Sequence, residues 1–390
     1  MPRTHDLVLV GATGFTGTLT AEYLARHAPA DCRWAIAGRN RSKLERLREK
    51  LAAIDPRHAE LPLLHADVTD PASLKAVAED TRVLASTVGP FILHGAALVA
   101  ACAEAGTDYL DITGEPEFVD LMYLRHHRRA QETGARLVHA CGFDSVPYDL
   151  GVLYTLGKLP QGEPVRVDGY VRASGMLSGG TLASALLMFS RTQQVARTAR
   201  ERREADPRPE GRTVRTPRGR LHRSHVLRAW GVPLPTLDPQ VVGRSAAALD
   251  AYGPVFQYRH FAAVKRLPVA LAGMIGAVKL AVLAQIPAVR RALTGRLGSG
   301  QGPSPERRSR SWFSARFVGE AGGRRVLTEV AGGDPGYEET AKMLAESALC
   351  LAMDDLPRTS GQVTTAVAMG EPLIARLERA GITFRVLKRA

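Results

Sequence analysis

Residues 7–17 are Leu7-Val8-Leu9-Val10-Gly11-Ala12-Thr13-Gly14-Phe15-Thr16-Gly17, a short apolar run that passes directly into a glycine-rich turn. A helical pattern follows, and this order of strand, turn and helix is typical of a site for the pyrophosphate of a dinucleotide. Gly11 would permit the tight turn, Gly14 would let phosphates approach the backbone, and Gly17 would let the helix lie close to the strand. The residues that we predict to bind the dinucleotide are Gly11, Thr13, Gly14, Phe15, Thr16 and Gly17.

Up to about residue 140 the chain repeats units of one strand and one helix, which predicts an α/β fold with a doubly wound parallel sheet of the Rossmann type. A length of 390 residues suggests two domains, and a hydrophobic content of 45% is sufficient for their cores. The four cysteines lie far apart and form no C-x-x-C pair, so neither a disulfide framework nor a metal site is expected. The N-terminus enters a strand at once without a signal peptide, which favours a cytoplasmic location.

The formal charge of +13 is concentrated in two stretches of the chain. Residues 191–228 contain twelve arginines and four acidic residues, and residues 290–325 contain nine arginines and two acidic residues. Since no aromatic interleaving or nucleic-acid-binding motif accompanies them, a nucleic-acid partner is not expected. Two interpretations stay open: solvated loops, or an electrostatic face for an acidic partner such as a carrier protein or an anionic membrane.

The end of the second predicted strand indicates the type of dinucleotide. NAD-preferring sites usually carry an acidic residue there for the ribose 2′-hydroxyl, whereas this chain carries Arg39, followed by Asn40. A cation pairs with a 2′-phosphate, which predicts NADP(H); the alternative is that these residues only begin a solvated helix.

After the third strand, Asp67 could reach the adenine edge or form a turn. After the fourth, Gly89 and Pro90 would let the nicotinamide ribose approach the backbone.

A second glycine-rich turn, Cys141-Gly142-Phe143-Asp144-Ser145-Val146-Pro147-Tyr148, follows the sixth predicted strand. Because it leaves the same carboxyl edge of the sheet, we expect it to be both a hinge between domains and a wall of the active site. Tyr148 is the first candidate for a hydrogen bond to the substrate or for proton donation, and Asp144 and Ser145 are the other candidates. The alternative for Tyr148 is packing at the domain junction.

The chain resembles the saccharopine dehydrogenase-like oxidoreductases and, among them, the mycobacterial-type trans-acting enoyl reductases. Besides the first glycine turn, the matching segments are Ala37-Gly38-Arg39, Thr87-Val88-Gly89-Pro90-Phe91, Tyr109-Leu110-Asp111-Ile112-Thr113-Gly114-Glu115, Gly142-Phe143-Asp144-Ser145-Val146-Pro147-Tyr148-Asp149-Leu150-Gly151, Ser178-Gly179-Gly180-Thr181, Asp334-Pro335-Gly336-Tyr337 and Gly361-Gln362-Val363-Thr364-Thr365-Ala366. These segments extend over nearly the whole chain.

The resemblance implies a Rossmann domain that binds NADP over residues 1–141, an α+β substrate domain over residues 142–355, and a tail over residues 356–390 that packs back on the Rossmann domain. It also implies NADPH-dependent reduction of the C=C bond of enoyl thioesters, carried on a polyketide synthase, in the synthesis of lipids and glycolipids. Two alternatives stay open: a saccharopine dehydrogenase-like oxidoreductase for imines or amino acids, and a non-catalytic Rossmann protein associated with lipid or membrane. A homodimer is also compatible with the sequence.

The stretch from Val269 to Val289 is strongly apolar and nearly long enough to span a membrane. Lys279 near its centre, together with Gly273, Gly276 and Pro287, disfavours a span. We expect first a core helix or a wall for an acyl chain, and second a peripheral contact with a membrane, at the inner face of the plasma membrane.

Overall fold

The first sheet contains the alternating strands of the N-terminal region. In the computed structural model, which describes residues 3–174, 179–206, 209–286 and 303–389, all strands of this sheet are parallel. The strands are β1 (His5–Val10), β2 (Trp34–Gly38), β3 (Leu63–His65), β4 (Thr81–Ser86), β5 (Asp108–Asp111), β6 (Arg136–Val138) and, from the C-terminal region, β14 (Gly361–Val363). The helices between them are α1 (Phe15–His27), α2 (Arg41–Ile54), α3 (Pro71–Glu79), α4 (Phe91–His94), α5 (Ala96–Ala105) and α6 (Pro116–Thr133).

The strand order β14-β6-β5-β4-β1-β2-β3 places β1 between β4 and β2. Because the chain winds outward from β1 in both directions, the crevice outside the carboxyl ends of β1 and β4 is the switch point where ligands bind. All six residues of β1 are buried; Leu7 and Leu9 pack in one core cluster, and Val8 and Val10 pack in another. A parallel strand covered on both faces explains the uninterrupted apolar run that begins the chain.

The second sheet is mixed and follows the order β15-β13-β12-β7-β11-β10-β9, with β8 paired to the start of β11. Its strands are β7 (Val165–Ser174), β8 (Thr213–Arg215), β9 (His222–Ser224), β10 (Ala229–Pro233), β11 (Val255–Val264), β12 (Trp312–Ala321), β13 (Arg324–Gly332) and β15 (Thr383–Arg389). The remaining helices are α7 (Val146–Leu156), α8 (Gly179–Ser190), α9 (Thr192–Ala205), α10 (Asp238–Ala248), α11 (Leu267–Leu283), α12 (Pro305–Arg308), α13 (Glu338–Met353), α14 (Thr365–Ala368) and α15 (Gly370–Arg379).

One face of the second sheet packs against α7. Gly151 of this helix lies so close to Phe317 of β12 that an added Cβ would be 2.4 Å from the Phe317 ring. Alternate residues of β12 share this inner face, since Phe313, Ala315 and Phe317 are all buried in the core cluster. The N-terminus of α7 therefore lies beside the end of the sheet that faces the Rossmann domain.

The C-terminal tail contributes one strand to each sheet. β14 pairs in parallel with β6 of the Rossmann sheet, and β15 pairs antiparallel with β13 of the second sheet. Buried Asp149 of α7 accepts hydrogen bonds from the Thr365 hydroxyl (2.8 Å) and the Ala366 N–H (2.8 Å) of the tail. It also accepts one from the Ser245 hydroxyl of α10 (2.5 Å). Asp149 thus connects α7, α10 and the C-terminal tail through hydrogen bonds.

The predicted fold class is confirmed, because the chain combines a parallel Rossmann-like sheet with a second, mixed sheet. The division at residues 141 and 355 stays a prediction. The first part of the arginine-rich stretch, residues 191–228, forms the helix α9. There Arg197 and Arg200 pair with Glu201 (2.8 Å) and Glu204 (3.0 Å), each one helical turn further on.

The expectation of a core helix for the apolar stretch is wrong. In α11 the exposed fractions are 57% for Val269, 56% for Ile275, 64% for Val278 and 62% for Val282, and Ala270 is buried. The helix is apolar on every side but contacts the protein on only one, so most of its side chains face solvent. Residues 287–289 of the predicted stretch lie outside the described residues. In the described ranges, no helix combines the length and the apolar character that crossing a membrane requires.

Candidate active site

The carboxyl edge of the Rossmann sheet brings the predicted site residues into one row. Since all strands are parallel, the turns after β2, β1, β4, β5 and β6 follow one another along this edge in the order of the strands. Arg39 lies after β2, Gly11 after β1, Gly89 after β4, and Asp144 after β6. The sheet therefore places the residues that are predicted to contact the ribose, the pyrophosphate and the nicotinamide, and then the predicted proton donor, in the order that an extended dinucleotide would require.

The glycine turn has the geometry of a pyrophosphate cradle. Gly11 has a φ of 83°, which only glycine adopts readily, and an added Cβ at Gly17 would be 2.2 Å from the Gly11 carbonyl oxygen. The Thr87 hydroxyl, after β4, donates to that same oxygen at 3.0 Å and holds the two turns together. Gly14 caps α1 without a side-chain hydrogen bond, so the helix N-terminus is available to an anion. These features fit NADP(H).

The other residues of this turn have separate environments. Thr13 and Gly14 are exposed. The Phe15 ring packs edge-on against Tyr337, with centroids 4.8 Å apart, so the loop before α13 covers the start of α1. The Thr16 carbonyl accepts a hydrogen bond from the Thr20 hydroxyl at 2.9 Å within the helix.

At the ribose end of the row, Arg39 is exposed at the end of β2. Asn40 is the N-cap of α2, where its side-chain oxygen accepts the Lys43 N–H at 2.9 Å. The Asp67 carboxylate accepts both the N–H (2.9 Å) and the hydroxyl (2.8 Å) of Thr69, and these bonds, with the charge of Arg39, lower its pKa. This geometry favours the turn role for Asp67, and Arg39 stays the predicted partner of a 2′-phosphate.

Glu115 is a site residue that the sequence reasoning missed, although it lies in a matching segment. Its carboxylate accepts the N–H groups of Phe91 (3.0 Å) and Ile92 (2.9 Å), directly after the cis Gly89–Pro90 bond. Ser184 of α8 donates to the same carboxylate at 2.7 Å. Glu115 therefore fixes the turn after β4 and links it to a helix of the second domain.

Asp111, at the end of β5, organises the neighbouring turn and was also missed. One carboxylate oxygen accepts the N–H groups of Thr113 and Ala140, both at 3.0 Å, and the other bonds His139 Nδ1 at 2.6 Å. Ala140 has a φ of 61°, a left-handed conformation that is uncommon for a residue with a side chain. The buried Asp111 thus fixes the bend through which the chain leaves β6 towards Asp144.

Tyr148 lies in a buried cluster that the second domain completes. Its ring packs edge-on against His260 of β11, with centroids 4.7 Å apart, and His260 Nε2 is 3.6 Å from a carboxylate oxygen of Asp238. Asp144 lies against Gly114, where an added Cβ would be 2.8 Å from its Oδ2. Asp238 and His260 were not predicted, because no local pattern connects an aspartate at the start of α10 and a strand histidine with the turn after β6.

Burial dominates the protonation states of this cluster. It raises the pKa of Asp144 to about 6, raises the pKa of Asp238 well above its ordinary value, and lowers the pKa of His260 to about 3. Burial and then the nearby carboxylates, with Asp238 first, raise the pKa of Tyr148 as well. Burial thus disfavours the charged forms of both Asp238 and His260, and Tyr148 keeps its proton at neutral pH.

The three predicted catalytic side chains differ in exposure and in hydrogen bonding. Among the described residues, the Tyr148 hydroxyl has no hydrogen-bond partner, and Asp144 is partly exposed. Ser145 is buried, and its hydroxyl donates to the Asp144 carbonyl at 2.6 Å. Tyr148 and Ser145 are both buried, so burial does not separate these two candidates, and the catalytic roles of all three residues stay predictions.

Comparison with known proteins agrees with this geometry. Residues 7–138 match the model of the saccharopine dehydrogenase NADP binding domain. Full-length relatives named trans-acting enoyl reductase are 36% identical in Mycobacterium leprae and 35% identical in Mycobacterium tuberculosis, and each alignment covers 97% of both chains. The chain belongs to the saccharopine dehydrogenase-like NADP-binding oxidoreductases. It is an NADP-dependent oxidoreductase, as the glycine turn and Arg39 predicted.

A solved structure supports the same fold for the whole chain of this oxidoreductase. Saccharopine dehydrogenase (L-Glu forming) from Saccharomyces cerevisiae aligns with a TM-score of 0.55 over 98% of this chain and 99% of the other. The sequence identity is 12%, so the likeness concerns the fold alone.

Proposed function

We propose that this oxidoreductase reduces the C=C bond of enoyl thioesters. The observation that carries the proposal is the position of Asp144 on the turn after β6 and of Tyr148 at the start of α7, beside the NADP-binding edge, in a chain whose full-length relatives are named trans-acting enoyl reductase. Reduction of an enoyl thioester needs a hydride at the β-carbon, a donor that stabilises the developing enolate oxygen, and a proton for the α-carbon. NADPH supplies the hydride when it is bound.

The two side chains have different roles in this proposal. Tyr148 holds its proton firmly, so it acts as a hydrogen-bond donor to the thioester oxygen while that oxygen carries negative charge. Asp144, with a pKa of about 6, is acidic enough to give a proton to the α-carbon and is reprotonated from solvent. His260, which contacts Asp238, packs against the Tyr148 ring and keeps it in place.

The charges at the site argue against the imine alternative. An amino-acid-derived imine with several carboxylates would need cations in the cleft. The titratable side chains described on the turns after β5 and β6 and behind Tyr148 are instead Asp111, Glu115, Asp144, Asp238 and two histidines. A neutral enoyl thioester is compatible with these groups, whereas a dicarboxylate is not.

We also propose that the substrate is a lipid-like acyl chain handled at a membrane surface. Exposed α11 is aliphatic on nearly all sides, and Lys265 and Arg266 immediately precede it, so its composition suits the surface of an anionic bilayer. The Gln285 side chain bonds the Phe189 carbonyl of α8, and α8 also supplies Ser184 to the active-site residue Glu115. A polyketide-derived lipid, delivered by a synthase that lacks its own reductase activity, would suit this arrangement.

Purified protein, NADPH and a long-chain 2-enoyl thioester provide the direct test, with NADPH oxidation and the mass of the saturated product as readouts. A matched assay replaces the thioester with an imine formed from an amino acid and a 2-oxoacid. We expect turnover of the enoyl thioester and none of the imine. Turnover of the imine alone would overturn the proposal.

A further inference from the structure

The outer face of the second sheet, opposite the face that packs on α7, contains a cavity whose lining includes four cationic side chains. Its volume is about 300 Å³, and it lies where β7, β10, β11 and β12 approach the end of the sheet. Tyr170 lines the cavity, and the cationic residues in its lining are Arg172, Arg228, Lys265 and Arg316. This cavity is separate from the crevice at the Rossmann edge.

The carboxylates on the outer face of the second sheet already pair with arginines of the protein. Asp168 accepts hydrogen bonds from Arg259 (2.6 Å) and Arg166 (3.1 Å). Glu329 pairs with Arg316 at 2.8 Å and also with Arg385. Arg316 is therefore neutralised by protein, and the cavity keeps an excess of positive charge from its other cations.

Three of these cations lack a carboxylate partner among the described residues: Arg172, Arg228 and Lys265. The Arg172 guanidinium lies over the Trp312 ring, 5.5 Å from the centroid, a contact that orients it without neutralising it. Arg228 has a φ of 50°, so the turn before β10 keeps an arginine in a conformation that glycine or asparagine would adopt more easily. Backbone strain of this kind is typical of residues that serve a ligand.

The charge of the cavity indicates the class of ligand. Two guanidinium groups and one ammonium group around one small space suit a group with one or two negative charges and several acceptor oxygens, namely a phosphate diester or monoester. The Tyr170 hydroxyl is already engaged with His222 Nε2 at 2.8 Å, so the cations and not the tyrosine would provide the binding energy.

The cavity and the active-site cluster share the same strand ends. On β12, Phe313 faces the α7 side, where its ring is 5.1 Å from that of Phe143, while the next residue, Ser314, lines the cavity. On β11, His260 faces Tyr148, whereas Lys265 lines the cavity shortly after the strand ends. An elongated ligand could therefore be anchored on one face and pass over the strand ends to the other.

We propose that this cavity binds the phosphate of the pantetheine arm that carries the acyl thioester, whether the arm belongs to coenzyme A or to a carrier protein. The inference rests on the proposed function, because it assumes that the substrate is a thioester. The phosphate on the outer face would hold the arm while its acyl end reaches Tyr148 and Asp144.

Binding is measured by calorimetry on protein saturated with NADP⁺, which keeps added phosphate out of the cofactor site. The probes are 4′-phosphopantetheine, pantetheine without phosphate, and inorganic phosphate. We expect 4′-phosphopantetheine to bind at least tenfold more tightly than pantetheine. The variant Arg228→Asn combined with Lys265→Gln should remove that difference, and asparagine tolerates the backbone conformation at position 228.

The matched control is Arg324→Gln, which removes an exposed arginine at the opposite end of the same sheet. Equal binding of pantetheine and 4′-phosphopantetheine, or equal loss in the control and the double variant, would overturn the proposal. Because binding needs no turnover, these results are independent of whether enoyl thioesters are reduced. If they are, the double variant should raise KM about tenfold for a phosphopantetheine thioester and leave KM unchanged for an N-acetylcysteamine thioester. A coenzyme A thioester and a carrier-bound thioester then identify the source of the arm.

Discussion

The imidazole of His260 lies edge-on against the ring of Tyr148, with the ring centroids 4.7 Å apart and the ring planes inclined at 79°. This contact joins α7, which leaves the Rossmann sheet, to β11 of the second sheet. Packing fixes the Tyr148 ring, while its hydroxyl has no partner among the described residues. The relationship explains how a tyrosine can be buried at a domain junction and still be available to a substrate. Both interpretations of Tyr148 that the sequence left open are therefore compatible with each other.

We expect Tyr148→Phe to lower kcat for an enoyl thioester about a hundredfold, because one donor to the developing enolate oxygen is lost. The free energy of unfolding should change little, since the hydroxyl makes no hydrogen bond among the described residues. Steady-state kinetics and urea denaturation measure the two effects. The control is Tyr154→Phe on the same helix, which should leave kcat unchanged. Identical kinetics for the two variants would assign Tyr148 to packing alone.

Asp144 predicts a pH dependence of the reaction. Its pKa of about 6 means that the protonated form, which donates the proton, dominates below pH 6 and decreases as the pH rises. We expect kcat to fall between pH 6 and pH 8, and Asp144→Asn to lower kcat by about a hundredfold or more and to remove the slope. The control Asp250→Asn changes an exposed aspartate and should keep the full profile. A slope that persists in Asp144→Asn would show that another group supplies the proton.

Arg39 predicts the preference between cofactors. Arg39→Glu replaces a cation at the ribose end with an anion, so the Kd for NADPH should rise at least tenfold while the Kd for NADH changes much less. Fluorescence titration with each cofactor measures both values. Arg46→Glu, on the exposed side of α2, makes the same change in net charge and should affect neither. Equal weakening of both cofactors by Arg39→Glu would exclude a contact with the 2′-phosphate.

Local sequence was sufficient to predict the Rossmann half of the site, because the strand, the glycine turn and Arg39 are each contiguous or close to a strand end. It was not sufficient for Asp238 and His260, which reach Tyr148 only through the folding of the second sheet. For α9 the local sequence contains a helical signal as well, since Glu201 follows Arg197 at the spacing of a helical pair. For α11 the hydrophobic pattern has no helical periodicity. Because apolar residues occur on every side of the helix, the pattern does not show which side the rest of the protein covers.

Exposed α11 predicts association with anionic vesicles. Val278→Glu combined with Val282→Glu places two charges on the most exposed part of the helix, where the fold itself should tolerate them. We expect the unmodified protein to float with the vesicles and the variant to stay in the soluble fraction. The control Val226→Glu changes an exposed valine elsewhere. No flotation of the unmodified protein, or equal loss in the control, would contradict the membrane contact.

The hydrogen bonds of buried Asp149 predict that the C-terminal tail needs its contact with α7 to stay folded against the protein. In Asp149→Ala the hydroxyls of Ser245 and Thr365 and the N–H of Ala366 lose their acceptor, so the free energy of unfolding should fall by about 3 kcal/mol. Hydrogen exchange should accelerate first in residues 361–368, before the strands of the Rossmann core. Asp149→Asn keeps one acceptor oxygen and should have an intermediate effect, whereas Asp250→Ala should have almost none. Uniformly faster exchange over the whole chain would show that Asp149 stabilises the fold generally rather than fastening the tail.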